Sequence, residues 1–336
     1  MADPNAAVLS RYRCKPNVMI TSRQLRHQLR KIWVEGFHAG QRLGVDILPR
    51  HYYSSIPDVR ELKQSRSWRE PTTMVAVRGA AITPQLEFAR MLTASWRGHL
   101  GGQAYRKAIA HNGVVGYGEI EAEFLFCFIA TLRPGKIIQI GAGVSTAVIA
   151  EAAVVSGYRP HVLAIDPFPN AYLRDAARRE EVELLSATAQ DVALEVLTDL
   201  GPGDLLFVDS SHAVRAGGEV NRVILEVLPR LRSGCHVHFH DIDFPYDYGP
   251  DLLRTCVFWS ESTLLHAFLT QNSRWRITAS LSMLAHLAQA ELREMFPSYR
   301  PAIMDHGLIQ PSPAGSHFPN SAWLLAEDAE CVGPVS

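Results

Sequence analysis

Two short runs hold the residues best suited to chemistry. Asp209-Ser-Ser-His212 and His240-Asp241 each set an imidazole near a carboxylate. A histidine oriented by a carboxylate can serve as a general base. Asp, His and Asp together also form an oxygen and nitrogen ligand set for Mg2+, Mn2+ or another divalent ion. Asp209, His212 and His240 are therefore candidate catalytic residues, and Asp209, His240 and Asp241 candidate metal ligands. A plainer role is open for His212, which could begin a helix and satisfy local backbone. His236, His238 and His240 alternate, so on a strand they share one face. The first two are expected to hydrogen-bond within the core, and His240, at the strand end, to face the site.

These residues need elements to position them. Lys136 to Ile140 is a β-branched run that enters Gly141-Ala-Gly143, and a helix rich in Ala and Val follows from Thr146 to Val155. The glycines permit a sharp turn that a ligand can approach closely. The amides at the start of the helix suit an anionic or polar ligand. One strand further on, His161-Val-Leu-Ala-Ile-Asp166 ends in an acid that can accept hydrogen bonds from both ribose hydroxyls. The pattern predicts an adenosine-type cofactor. Val182–Ser186, Asp204–Asp209 and Cys235–Asp241 read as further strands, with a helix over Val192–Leu200 that Asp191 could N-cap. Strands alternating with helices predict an α/β fold, a Rossmann-like doubly wound sheet with ligands over its carboxyl edge. Asp166, Gln190, Asp209 and Asp241 all fall at that edge.

The 336 residues are 47% hydrophobic, enough for a large core, and the net charge of −1 gives no basic field for a nucleic acid. Arg23, Arg26, Arg30 and Lys31 read as a solvated helix face. Five cysteines, Cys14, Cys127, Cys235, Cys256 and Cys331, are scattered without a C-x-x-C pair, and Cys127 and Cys235 sit in apolar surroundings. That usage fits a reducing cytosol and offers no zinc site. No apolar leader and no membrane-length apolar run is visible, so the expected location is cytoplasmic, with no membrane partner.

Residues 1–115 are expected to be a mainly helical N-terminal region, loose to about residue 20. It would hold helices from Thr21 to about Gly44 and from Thr83 to Trp96, and a proline-broken loop from His51 to Asp58. The sheet domain is expected over 116–330, entered by an apolar helix at Glu119–Leu132. After the fifth strand, Asp251–Gln271 is expected to be helical, with Trp259, Leu264, Leu265 and Phe268 inward. A sixth strand is expected at Trp275–Ala279, an insertion over 282–319, helical at first, and a last strand at Ser321–Leu325.

The register Gln139-x-Gly141-x-Gly143-x-Ser145 resembles motif I of class I S-adenosylmethionine-dependent methyltransferases, with Gln139 in place of the usual acid and Ser145 in place of the third glycine. There is no G-K-S/T of a P-loop. Further pieces are similar to a bacterial group of this class, many members of which lack an assigned substrate. They are His51-Tyr-Tyr-Ser-x-Ile-Pro, Gly116-Tyr-Gly118, Ile140–Thr146, Phe207-Val-Asp-Ser-Ser-His212, Leu228-Pro-Arg-Leu-x-x-Gly234, His238-Phe-His-Asp-Ile242, Trp259-x-Glu-x-x-Leu-Leu265 and Ser321-x-Trp323. The resemblance covers most of 45–325. It implies a seven-stranded mixed sheet with the last strand inserted antiparallel. It implies cofactor contacts from Tyr117, Gln139, Gly141, Ala142, Gly143, Ser145, Thr146, Asp166, Gln190, Asp191 and Asp209. It also implies an acceptor lid from His51, Tyr52 and Tyr53, whose alternative is packing between cap and core. In the metal-dependent branch of the class, an acid after strand four joins an acidic or amide pair after strand five. In its sugar-modifying enzymes the strand-four motif is Asp-x-x-His, with the His as general base. Asp209-x-x-His212 fits that motif, while His240 stands where those enzymes carry an acid.

The expected function is methyl transfer from S-adenosylmethionine to a hydroxyl or amine of a small molecule, sugar-like or of natural-product type, with base and divalent-metal assistance. The N-terminal region would cap a small acceptor or join copies into a homo-oligomer. Three rival readings stand beside it: a catalytically silent S-adenosylmethionine-binding regulator, an NAD(P)-dependent oxidoreductase using Asp166, and a methyltransferase acting on protein or nucleic acid. The missing third glycine and the Asp209/His240/Asp241 cluster weigh against the oxidoreductase. The absence of an N/D-P-P-Y/F motif weighs against base methylation.

Overall fold

The computed structural model describes residues 23–113 and 115–328, with side chains from residue 29 onward. The expectations for residues 1–20, Thr21, Cys14 and Cys331 lie outside these residues. The described chain divides into two compact units, one ending at Asp58 and one running on from Val59. The first unit holds helix α1 (Arg23–Arg42) followed by the expected loop over 51–58.

The second unit begins with α2 (Val59–Gln64), α3 (Ile82–Thr93), α4 (Gln103–Asn112) and α5 (Glu119–Leu132). It continues through β1 (Lys136–Ile140), α6 (Val144–Ser156), β2 (His161–Ile165), α7 (Ala171–Arg178), β3 (Glu183–Leu185), α8 (Leu194–Leu197) and β4 (Leu205–Val208). Then come α9 (Glu219–Arg222), β5 (His236–His240), α10 (Leu252–Thr255), α11 (Glu261–Leu269) and β6 (Trp275–Ser280). After β6 the chain forms α12 (Leu281–Leu287), α13 (Gln289–Met295), a two-residue-strand hairpin at Met304–Asp305 and Leu308–Ile309, and β7 (Ser321–Ala326).

The sheet order is β3-β2-β1-β4-β5-β7-β6. Strands β1 to β5 are parallel neighbours, and β7 runs antiparallel between β5 and β6. The expected seven-stranded mixed sheet is present. Its central strands are buried on both faces, as parallel strands covered by helices must be. Ile137, Leu205 and Phe207 point to one apolar layer, and Ile138, Leu206 and Val208 to the other. Helix α5 is apolar all round and buried from Ile120 to Ala130, so it is an interior helix. It admits Glu121 and Glu123 because each carboxylate finds partners. Glu123 accepts the Gly101 and Gly102 amides, and Glu121 accepts from His317 and the Asn320 amide.

Two expected helices differ. The helix over 251–271 is split into α10 and α11, because Cys256 turns left-handed (φ 55°) and closes α10. Trp259 therefore stands on the connecting loop, 38% exposed, rather than inward. The helix over Val192–Leu200 shrinks to the single turn of α8. Asp191 does not cap it, but ends a 3-10 turn at Ala189–Asp191 and accepts from the Thr188 hydroxyl at 2.5 Å.

Candidate functional site

The glycine turn between β1 and α6 is fixed from below. Gly141 (φ 81°) passes so close to β4 that an added Cβ would lie 1.7 Å from the Asp209 carbonyl oxygen. Only glycine fits there. The Gly141 amide donates to Ile165 O at 3.0 Å and the Asp209 amide to Ile140 O at 2.8 Å, which joins the ends of three strands. Gln139 is fully buried and faces inward. Its amide nitrogen donates to Ser145 Oγ at 3.2 Å, and its oxygen accepts from Thr146 Oγ1 at 2.9 Å. Thr146 Oγ1 also accepts the Gly143 amide at 3.1 Å. Gln139, Ser145 and Thr146 thus brace the turn from within.

Asp166 closes the other side. One oxygen accepts the Ala142 amide at 3.2 Å and the other the Phe168 amide at 2.7 Å. A carboxylate has lone pairs for more, so ribose hydroxyls could still bind it. Gln190 Oε1 is buried without a hydrogen-bond partner, although buried carbonyls are usually satisfied. It is an acceptor of the kind that an adenine amine would need. Orphan Gln190, the Asp166 carboxylate and the Cβ-free turn fit S-adenosylmethionine. Asn112 Oδ1, which the sequence did not single out, stands close to Gly143 and is held there by Asn170 Nδ2 at 2.9 Å.

The ends of β4 and β5 bring four polar residues together. His212 Nε2 lies 3.6 Å from Asp209 Oδ1 and 3.3 Å from Asp241 Oδ2. His240 Nδ1 lies 3.5 Å and 3.4 Å from the same two oxygens. Ligand atoms of Asp209, His212 and His240 all fall within 4.8 Å of one another. Donors about 2.1 Å from a tetrahedral ion stand about 3.4 Å apart. The four nitrogen–oxygen separations match that spacing and are long for hydrogen bonds, and both ring nitrogens of buried His240 are unpartnered. Asp209, His212, His240 and Asp241 could hold a divalent cation. His212 and Asp241 have left-handed backbone (φ 56° and 53°), which Asp and His adopt more readily than most residues.

Electrostatics point the same way. Burial favours the neutral acid at Asp209, but His240 and His212 outweigh it and hold the carboxyl well below its usual range. Asp241 is lowered likewise against burial, chiefly by His240. Burial opposes charge on His212, yet the nearby Asp209, Glu261 and Asp241 carboxylates lift its pKa to about 10. His240 is raised against burial by Asp209 and Asp241. The carboxylates draw positive charge to this point, either as protons on the imidazoles or as a cation that displaces them.

His238 is fully buried, and its Nε2 lies 3.3 Å from the Tyr117 hydroxyl. His238 packs on Phe207 and Trp323 and has the core hydrogen bond expected of it, whereas His236 packs on Phe128 with its Nδ1 unpartnered, not the hydrogen bond expected. Tyr117 also packs on the His240 ring at 4.8 Å between centroids. A cavity of about 440 Å³ is lined by Tyr117, Glu121, His240, Asp241, His317 and Asn320, among others.

Sequence reasoning gave no role to Glu261, Glu121, His317, Asn320 or Asp243. Glu261 is 1% exposed, and its Oε2 lies 2.8 Å from His212 Nδ1. Its signal was its place in the Trp259-x-Glu-x-x-Leu-Leu265 run, at the first turn of α11. Asn320 donates from its amide nitrogen to Asp243 Oδ1 at 3.1 Å and from its backbone to Glu121. Burial and the charge of Asp241 raise the Asp243 carboxyl. No sequence signal marked these contacts, since the partners lie far apart in the chain. His51, Tyr52 and Tyr53 belong to the first unit. Both tyrosines are exposed (91% and 84%), with their rings edge-on at 5.2 Å.

Residues 138–242 match the family model described as a methyltransferase domain. No curated protein sequence matches the chain. Among solved structures, cofactor-bound Rv0187 from MTB is 16% identical, with 66% of this chain and 89% of that one covered and a TM-score of 0.38. A precorrin-6y C5,15-methyltransferase from Geobacter metallireducens is 18% identical over 61% and 88%, with a TM-score of 0.34. The S-adenosylhomocysteine-bound methyltransferase PaMTH1 from Podospora anserina is 14% identical over 84% and 99%, with a TM-score of 0.35. At such scores the likenesses carry no argument about chemistry, which rests on the family match and the residues above. The matched segment spans the glycine turn and the ends of β4 and β5, so residues 138–242 carry the methyltransferase domain of this chain.

Proposed function

We propose that this methyltransferase acts on a hydroxyl or amine of a small molecule, sugar-like or of natural-product type, with help from a general base and a divalent cation. The observation that carries the reading is the meeting of Asp209, His212, His240 and Asp241 at the ends of β4 and β5, beside the glycine turn. When bound, S-adenosylmethionine supplies an electrophilic methyl group and a divalent cation supplies Lewis acidity. The chain's own residues orient the acceptor. Its oxygen or nitrogen lone pair forms the new bond to the methyl carbon as the carbon–sulfur bond breaks in line, and the sulfur keeps that electron pair. The acceptor's proton passes to His212 or His240, whichever keeps a ring nitrogen free of both proton and cation. Tyr117, packed on His240, closes one side and limits water.

His51, Tyr52 and Tyr53 are assigned to an acceptor lid, and the N-terminal region to acceptor capping or homo-oligomer contacts. Asp191, Gln190 and Asp166 are assigned to the adenosine. A cytoplasmic location follows from the cysteine usage. Among the described residues no helix is long and apolar enough to cross a membrane.

The test is transfer of labelled methyl from S-adenosylmethionine to a panel of hydroxylated and aminated small molecules, with and without chelator. The proposal expects transfer to at least one acceptor, reduced by chelator and restored by Mg2+ or Mn2+. Tight cofactor binding with no transfer to any acceptor would favour the silent regulator instead. Transfer unaffected by chelator would remove the cation.

A further inference from the structure

The break between α10 and α11 sets three consecutive residues against His212. The Trp259 ring packs on the imidazole with centroids 4.6 Å apart. The amides of Ser260 and Glu261 both donate to the His212 carbonyl oxygen, at 3.1 and 3.2 Å. Ser260 Oγ accepts the Val214 amide at 3.1 Å, so the loop after β4 is held on both sides of His212. The left-handed backbone of His212 is thus clamped from one short segment. From the same segment Glu261 Oε2 reaches His212 Nδ1 at 2.8 Å.

A buried carboxylate is a poor way to stabilise a fold, because its desolvation offsets what its contacts return. Glu261 is 1% exposed, and its second oxygen is buried without a partner. What the carboxylate does give is direction. With Nδ1–H bonded to Glu261, the ring plane is fixed and Nε2 points between Asp209 and Asp241. Outer partners of this kind orient metal-ligating histidines and make them better donors.

Building on the cation reading above, we propose that Glu261 is a positioning residue. It accepts the Nδ1 proton of His212 and aims Nε2 at the point shared with Asp209, His240 and Asp241. The break that frees residues 256–260 from the helix is what lets Glu261 reach it.

The test titrates chelator-stripped full-length protein with Mn2+ and with Zn2+, each alone, by calorimetry. Wild type, E261Q and E261M are compared, and S-adenosylhomocysteine affinity and thermal midpoint are read on the same samples. E261Q keeps the volume, and E261M removes the buried carboxylate and leaves His212 Nδ1–H without its acceptor, so a lower thermal midpoint is expected of E261M while it still folds. The proposal expects both variants to bind the metals about 10- to 100-fold more weakly, with S-adenosylhomocysteine affinity within about twofold. A purely structural role would lower the thermal midpoint and leave metal affinity in the folded fraction unchanged. Either folded variant binding metal as wild type does would overturn the proposal. Wild type that binds S-adenosylhomocysteine but neither metal would overturn the cation reading, and this inference with it.

Discussion

At the scale of single residues, the site is defined by groups whose surroundings leave them few alternatives. Gly141 has no room for a Cβ and has positive φ, so Gly141→Ala is expected to cost at least about 2 kcal/mol of stability and to weaken S-adenosylhomocysteine binding. Thermal melts and calorimetry would show it, and an alanine variant with unchanged melting and binding would contradict the packing described. His212→Ala should abolish turnover while leaving cofactor affinity near that of wild type; full activity would remove His212 both as base and as cation ligand. Gln190→Ala should weaken S-adenosylhomocysteine binding about tenfold, the worth of one buried hydrogen bond. An unchanged dissociation constant would leave orphan Oε1 without this role. The Asp-x-x-His spacing and the His240-Asp241 pair were legible because both runs end strands. Glu261 and the Glu121–His317 pair were not, because their meaning lies in partners 49 and 196 residues away.

At the scale of elements, the glycine turn is braced by its own helix and strand rather than by its ligand. Gln139 stands where the resemblance expects an acid, and the structure spends both ends of its amide on Ser145 and Thr146. Gln139→Leu should therefore destabilise the fold by about 2–3 kcal/mol, since it strands buried hydroxyls without a partner. A variant as stable as wild type in urea would contradict this. Helix α12 offers a test of pH. His286 lies between Tyr246 and Phe318, and burial lowers its pKa from 6.5 to about 4. The folded state prefers the neutral ring, so its contribution is fully present above pH 6.5 and is lost as pH falls towards 4. Between pH 7.5 and pH 5 that loss is about 2 kcal/mol. His286→Phe, which keeps the ring and removes the titration, should be correspondingly less sensitive to acid. Equal acid sensitivity in the two proteins would contradict it. The strands were legible from their apolar runs and terminal acids. The break at Cys256 was not, because an apolar periodicity continues through it and only the left-handed backbone ends the helix.

At the scale of the molecule, seven strands in the order β3-β2-β1-β4-β5-β7-β6 bring Gly141, Asp166, Asp209 and Asp241 to one edge of one sheet. The alternation of strands and helices foretold that edge. The antiparallel last strand came from resemblance, since nothing in Ser321–Ala326 alone dictates its direction. The account therefore stands or falls on the edge binding S-adenosylmethionine. The most direct measurement is calorimetric titration of the full-length protein with S-adenosylhomocysteine, before and after chelator treatment. The account predicts one site per chain with a dissociation constant of about 10 μM or tighter, near −7 kcal/mol. No binding heat under either condition, at concentrations where such affinity would be plain, would contradict it.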